Sequence, residues 1–183
     1  MLFGLYHGLL ALEPGNTHTN MQDMSLPLNA REEHDEETQD QETIQVCVFE
    51  LSGRLFGLSI FDVQEILEKS PITPVPTTPG FLKGVINLRG NIVPVADIRE
   101  ILELPVKHRS RDSRIMILNF KNAQIGILVD AVTEVRRLEK RLLVTESIQT
   151  GISDGKFIAN IIQYNEGFLV LLNLQHLYTA IQL

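Results

Sequence analysis

The 183-residue sequence predicts an all-β fold: two small five-stranded barrels side by side, produced by an internal duplication, with short helical turns and a C-terminal helix. Three observations predict it. From residue 45 onward, apolar residues come in short alternating runs bounded by turn residues, the pattern of half-buried strands. The same order of runs and turns recurs 69 residues later, and again at an offset of 76 beyond a seven-residue insertion. Each copy holds about five short runs, and five antiparallel strands with two wet edges curl into a barrel to remove the edges.

In order along the chain, Gln45-Val46-Cys47-Val48-Phe49-Glu50-Leu51 is the first strand, Ser52-Gly53 turns, and the return strand occupies 54–59. Ser59 caps a helical turn over 60–63, with Asp62 as its third-position acid. Strands over 65–75, 81–89 and 91–96 complete the first half. The last two form a tight hairpin at Arg89-Gly90-Asn91, where Gly90 or Asn91 supplies a positive φ. Pro94 lacks an N–H, which predicts an edge strand or a bulge. Asp97 caps a turn over 98–102, with Glu100 three residues on.

The second half repeats these elements at 114–120, 123–129, 134–144, 157–164 and 167–172. Gly57 aligns with Gly126, Val63 with Val132, Glu65 with Glu134 and Ile66 with Val135; at the longer offset Leu88 meets Tyr164 and Asp97 meets Asn173. Asn173 caps a helix over Leu174–Ile181 that sets Leu174, Leu177, Tyr178 and Ile181 on one face. The first barrel is placed at about 45–106 and the second at about 111–183.

Charge divides the chain differently. The net charge is −7, but residues 1–44 hold nine acids against one base, Arg31, a charge of −8, whereas residues 45–183 hold 14 acids and 15 bases, a charge of +1. The stretch 29–43 has almost no apolar residue to offset its ordering entropy, so residues 1–44 read as a mostly disordered, solubilising acidic tail. The opening MLFGLYHGLLAL is apolar but lacks the basic start and small-residue cleavage site of a secretory signal; it reads as a short amphipathic element or an upstream extension, with Met21 and Met24 as alternative starts. No apolar run reaches the 18 residues of a membrane span.

The chemistry available speaks against an enzyme. A single cysteine excludes an internal disulfide or a cysteine-based zinc site, and Cys47 sits mid-strand as a small core residue. His108 and His176 are the body's only histidines; neither has a second ligand at metal spacing, and His176 reads as a solvated helix residue. A two-barrel aspartic protease needs an Asp-Thr/Ser-Gly loop in each lobe, and only Ser153-Asp154-Gly155 comes near, in the wrong order. There is no phosphate loop and no nucleophile elbow, and no cofactor is expected. The basic clusters over 107–114 and 136–141 lack interleaved aromatics, so nucleic acid is not a predicted partner. They read as solvated loop and strand-end charge, with a partner-facing patch as the alternative.

The most informative segment is TTPGFLKGVINLRGNIVPVADIR, residues 77–99. Pro79-Gly80 bends the chain, Phe81, Leu82, Val85, Ile86 and Leu88 bury, and Arg89 stands at the hairpin tip. An arginine there is either a solvated tip charge or an interface anchor.

This segment resembles the CheW family of chemotaxis coupling proteins. The resemblance is carried by Phe56-Gly57-Leu58, by Asp62-Val63-Gln64-Glu65-Ile66, by Thr78 through Gly90 with its Asn87-Leu88-Arg89-Gly90 hairpin, by Ile92 through Arg99, and by Gly126-Ile127-Leu128-Val129-Asp130 with Val135. It spans about residues 44–180. It implies a non-catalytic adaptor of two SH3-like barrels, cytoplasmic at receptor arrays near the inner membrane and not itself inserted in the membrane. The adaptor bridges the regulatory domain of a CheA-type histidine kinase to the cytoplasmic tips of methyl-accepting chemoreceptors. Carried over by position, it implies a receptor-facing groove between the barrels that includes Val63, Glu65, Gly84, Arg89 and Val135, with Lys83 a weaker candidate by adjacency. The long acidic leader and the short basic link over 106–114 depart from a minimal member, and the length leaves no room for a receiver domain. Two alternatives stay open: an adaptor of a type IV pilus or phototaxis pathway, which uses the same hairpin, and a module that regulates the kinase alone.

Overall fold

Ten strands form two five-stranded sheets in the computed structural model, which describes residues 42–68, 70–106, 108–143, 152 and 154–182. Residues 1–41, with most of the acidic leader and the apolar opening segment, the end of the 134–144 strand and Ser153 lie outside these residues; the tail placed at 1–44 is corrected at its end, because Thr43 and Ile44 pair with Glu139 and Leu138. In the first half the strands are β1 (Thr43–Leu51), β2 (Arg54–Ser59), β3 (Val63–Leu67), β4 (Leu82–Leu88) and β5 (Asn91–Ala96). In the second they are β6 (Arg114–Phe120), β7 (Ala123–Val129), β8 (Ala131–Glu139), β9 (Ile158–Tyr164) and β10 (Gly167–Leu172). Helix α1 (Ile98–Ile101) follows β5 and α2 (Leu174–Ile181) follows β10. The caps stand where the sequence places them: Ser59, Asp97 and Asn173 accept from the N–H groups of Phe61, Arg99 and His176.

The sheets do not divide the chain at the link between its halves. One runs β8-β1-β2-β10-β9 and the other β3-β6-β7-β5-β4. Each half therefore keeps its first hairpin in one barrel and sends its last three strands to the other. This corrects the assignment of one barrel to 45–106 and the other to 111–183. The pairing is reciprocal: β3 lies against β6 as β8 lies against β1, and β5 against β7 as β10 against β2. The last two contacts are parallel, so the sheets are mixed and not wholly antiparallel as expected. A duplicated sequence makes this exchange energetically open, because equivalent strands offer the same pattern to either partner.

Three further expectations are corrected. The 65–75 strand ends at Leu67, because Pro71, Pro74, Pro76 and Pro79 cannot donate to a ladder; only Thr73 pairs again, with Val85. That bridge returns the chain leaving β3 to β4 and closes this barrel. The 134–144 strand begins earlier, at Ala131, which pairs with Glu50, and ends at Glu139 before a 3-10 turn over Lys140–Leu142. Pro94 lies in neither an edge strand nor a bulge: β5 runs between β4 and β7. Its ladder with β7 begins only at Val95, and Val85 opposite turns its own N–H and C=O to Thr73, so the missing N–H is not required.

Three apolar clusters hold the body together. The largest gathers Cys47, Phe49, Phe56 and Leu58 from one sheet, Met116, Leu118, Ile125 and Ile127 from the other, and Leu174, Leu177 and Ile181 from α2. It is the core shared between the barrels. A smaller cluster fills each curl: Val46, Val48, Ile162, Leu169 and Leu171 in one, Ile86, Val93, Val95, Ile115 and Ile117 in the other. Gly57 and Gly126, equivalent in the duplication, are each pressed against side chains of a neighbouring strand.

Candidate functional site

The β4–β5 hairpin turns on two residues, Arg89 (φ 53°) and Gly90 (φ 92°), both in the left-handed region that a primed two-residue turn requires. Asn91 is already in β5, opposite Leu88, so the residue that pays the left-handed strain is Arg89 itself. The Asn87 Oδ1 accepts from the Gly90 N–H at 2.8 Å and pins the turn. The tip projects Arg89 outward with its side chain 75% exposed.

Arg89 is not a free charge. Its Nη2 donates to Glu65 Oε2 at 2.9 Å, 24 residues away on β3. Glu65 is only 20% exposed, and its Oε1 is buried without a hydrogen-bond partner among the described residues. Val63 begins the same strand and packs, half-buried, on the shared core. Three sequence-predicted site residues therefore meet on one strand and its adjoining tip.

The other predicted residues stand differently. Gly84 is buried, with φ 137°, and a Cβ there would run into the Thr73 carbonyl. Its contribution is to let the backbone that closes the barrel pass, and it offers no surface. Lys83 is tied down, donating to Glu100 Oε1 at 2.5 Å and to the Gly80 carbonyl at 2.6 Å. Val135 belongs to the other sheet, on β8, and is 56% exposed. It pairs with Cys47, which faces the shared core, so Val135 looks along the margin of that core.

The duplication brings a mirror of this margin. Ile66, equivalent to Val135, is also exposed and pairs with Met116 of the shared core. Val132, equivalent to Val63, packs half-buried on the same core. Just before Val63 in sequence stands Phe61, 88% exposed, in the 3-10 turn that carries the chain from β2 of one sheet to β3 of the other. Sequence reading passed over Ile66 and Phe61, because an apolar residue in a periodic run is counted as core. The signal that exposes Ile66 is its alignment with Val135.

A second group joins the barrels from within. Arg99 is buried and bidentate on Asp97, with Nε and Nη2 at 2.8 and 2.9 Å, and its Nη1 reaches Asp130 Oδ1 at 2.7 Å. Asp130 Oδ2 accepts from the Ser52 N–H at 2.6 Å, and the Ser52 hydroxyl donates to the Pro105 carbonyl at 2.5 Å. Asp130 stands where β7 of one sheet passes into β8 of the other, and Ser52 at the β1–β2 turn. With Arg99 and Asp97 buried and Asp130 and Ser52 half-buried, this network fixes the junction of the two sheets.

Among the described residues, groups suited to bond-making chemistry do not converge. Cys47 is buried in the shared core, and burial pushes its thiol up from the ordinary range. Among the described residues no three metal-ligating side chains cluster, and no helix is long and apolar enough to cross a membrane. Two clefts, of about 420 and 270 Å3, are lined by Glu68, Arg109, Arg111 and serines and by Leu82, Pro94, Ile125 and Tyr178.

The features that do converge, an arginine at an exposed tip and a margin of exposed aliphatics, suit binding. Residues 45–182 match the CheW-like domain. The chemotaxis protein CheW of Treponema pallidum is 25% identical over 149 residues, covering 79% of this chain and 87% of that one. That of Thermotoga maritima is 35% identical over 99 residues, covering 54% and 65%. The crystal structure of the scaffolding protein TtCheW from Thermoanaerobacter tengcongensis superposes with a TM-score of 0.67 at 34% identity, covering 72% of this chain and 90% of that chain. Residues matched along the whole double barrel, together with a common fold, place the chain: it belongs to the CheW-like domain family of non-catalytic chemotaxis scaffolds.

Proposed function

We propose that this chain couples the cytoplasmic tips of chemoreceptors to the regulatory domain of a CheA-type histidine kinase, in the cytoplasm at receptor arrays near the inner membrane. The observation that carries the reading is the pairing of Arg89, on an outward-facing tip, with Glu65 of β3, the strand that bears the exposed Ile66. Val63, Glu65, Arg89 and Val135 are the receptor-facing residues, Gly84 supports them through the backbone, and Ile66 and Phe61 extend the apolar surface. Such a margin accepts the apolar stripe of an amphipathic helix, and the tip arginine sets register against an acidic group or a carbonyl. Modest pairwise affinity suffices where an array multiplies the contacts.

Arg89→Glu tests this. Arg89 itself is 75% exposed at the hairpin tip and packs in no core, so the variant is expected to keep its fold. We expect native circular dichroism, undiminished kinase binding and loss of capture by a soluble receptor fragment. Unchanged receptor capture overturns the assignment, and a wild-type chain that binds kinase but never receptor is a kinase-only regulator.

A further inference from the structure

The two halves carry the same acid at the same place, and each acid holds a guanidinium that the duplication does not supply from the same place. Glu65 and Glu134 are equivalent residues of β3 and β8. The cation on Glu65 is Arg89, from the β4–β5 tip. The equivalent tip of the second half is Asn165-Glu166 and offers no cation. Glu134 is met instead by Arg136, two residues on in the same strand, whose Nη1 lies 3.3 Å from Glu134 Oε2; the first half has Leu67 at that position.

The second pair is braced. The Tyr164 hydroxyl, at the base of the β9–β10 hairpin, donates to Glu134 Oε1, and the Arg136 guanidinium lies 5.8 Å from the centre of the Tyr164 ring. Arg136 nonetheless stays 53% exposed. A pair as exposed as Arg136–Glu134 adds little to stability, so the fold does not demand that the arrangement be built a second time. Each adjoins an exposed aliphatic on the opposite face of its strand: Ile66 follows Glu65, and Val135 follows Glu134. Only one nitrogen of each guanidinium is engaged by its glutamate, which leaves donors for a second carboxylate.

We infer that Arg136 is a second charge anchor for the partner that Arg89 meets, so that β3 and β8 grip one helical segment at two points. The occupant is an amphipathic helix of the receptor tip with an apolar stripe against Ile66 and Val135 and a carboxylate toward each arginine. Glu134 and Tyr164 are positioning residues that hold Arg136 in place. The inference rests on the receptor reading above and adds the partner's charge pattern to it.

The test measures affinity of the full chain for a soluble receptor cytoplasmic fragment, at low and high salt. Arg136→Leu is expected to weaken binding about tenfold at low salt and less at high salt, where exposed charges are screened. The decisive variant is Arg136→Leu/Asn165→Arg, which gives the second half the layout of the first, a leucine on the strand and an arginine at the tip. It is expected to recover most of the loss, which a merely structural role for Arg136 would not allow. Lys121→Glu, a charge reversal at the β6–β7 tip, is the control and leaves affinity unchanged. If Arg89→Glu abolishes binding while Arg136→Leu has no effect, or if the tip arginine does not rescue, the second anchor is wrong and the receptor reading stands. If neither arginine matters, the receptor reading itself fails. Should Arg136→Leu misfold, Arg136→Gln makes the same comparison.

Discussion

Gly84 and Arg89 lie five residues apart in one hairpin and show how differently two residues of a motif can serve it. Arg89 acts through a side chain that leaves the fold, whereas Gly84 acts by having none. At φ 137°, with the Thr73 carbonyl where a Cβ would stand, any substitution moves the bridge that closes the barrel. Gly84→Ala is therefore expected to cost about 2 kcal/mol or more, read as a lower urea midpoint with an unchanged slope. Weaker receptor binding in that variant would follow from the displaced tip, and an unaltered midpoint would show that the backbone yields freely. Arg99 is a third case. The sequence places it in a helical turn beside its cap, and nothing in that local pattern shows that it is buried on two carboxylates, one of them 31 residues away.

At the scale of elements, β3 and β8 carry the proposed binding surface. Each stands at the end of its sheet's strand order, each shows an acid–arginine pair on one face and an aliphatic on the other, and each packs a valine on the shared core. The bracing of β8 can be read by titration. Hydrogen bonding to Glu134, with burial and the glutamate's charge behind it, raises the Tyr164 phenol above the ordinary tyrosine value near 10. A folded-state value above the unfolded one adds stability that is present below pH ~10 and lost as pH rises through the folded value. Absorbance titration of the native protein should thus show one late-ionising tyrosine, brought earlier by Glu134→Gln and removed by Tyr164→Phe. A late tyrosine that survives in Tyr164→Phe would assign the effect elsewhere.

At the scale of the molecule, the exchange of strands makes the halves interdependent. A fragment ending near residue 106 holds β1 and β2 without β8, β9 and β10, and β3, β4 and β5 without β6 and β7. Neither 1–106 nor 107–183 should give a cooperative thermal transition alone, while the two mixed should recover the β-sheet spectrum and one transition. A cooperative melt of either fragment would mean that each half can close its own barrel. The Arg99–Asp130–Ser52 network stands at the crossing of the two sheets, so Asp130→Asn is expected to loosen the intact body more than any exposed charge does.

Most element positions were legible in the sequence because their causes are local. Alternation sets β1, β2, β5, β6, β7 and β10, turn residues set the hairpins, and Ser59, Asp97 and Asn173 announce the helical turns by side chains that reach two or three residues on. The charged tip at Arg89 was legible for the same reason. Which strand lies beside which was not, and neither was the approach of Tyr164, on β9, to Glu134 on β8. A duplicated sequence writes the same pattern on β3 and β8, so periodicity is equally content with either partner. The choice falls to the tertiary structure, where exchanging strands lets one apolar core be shared between both barrels.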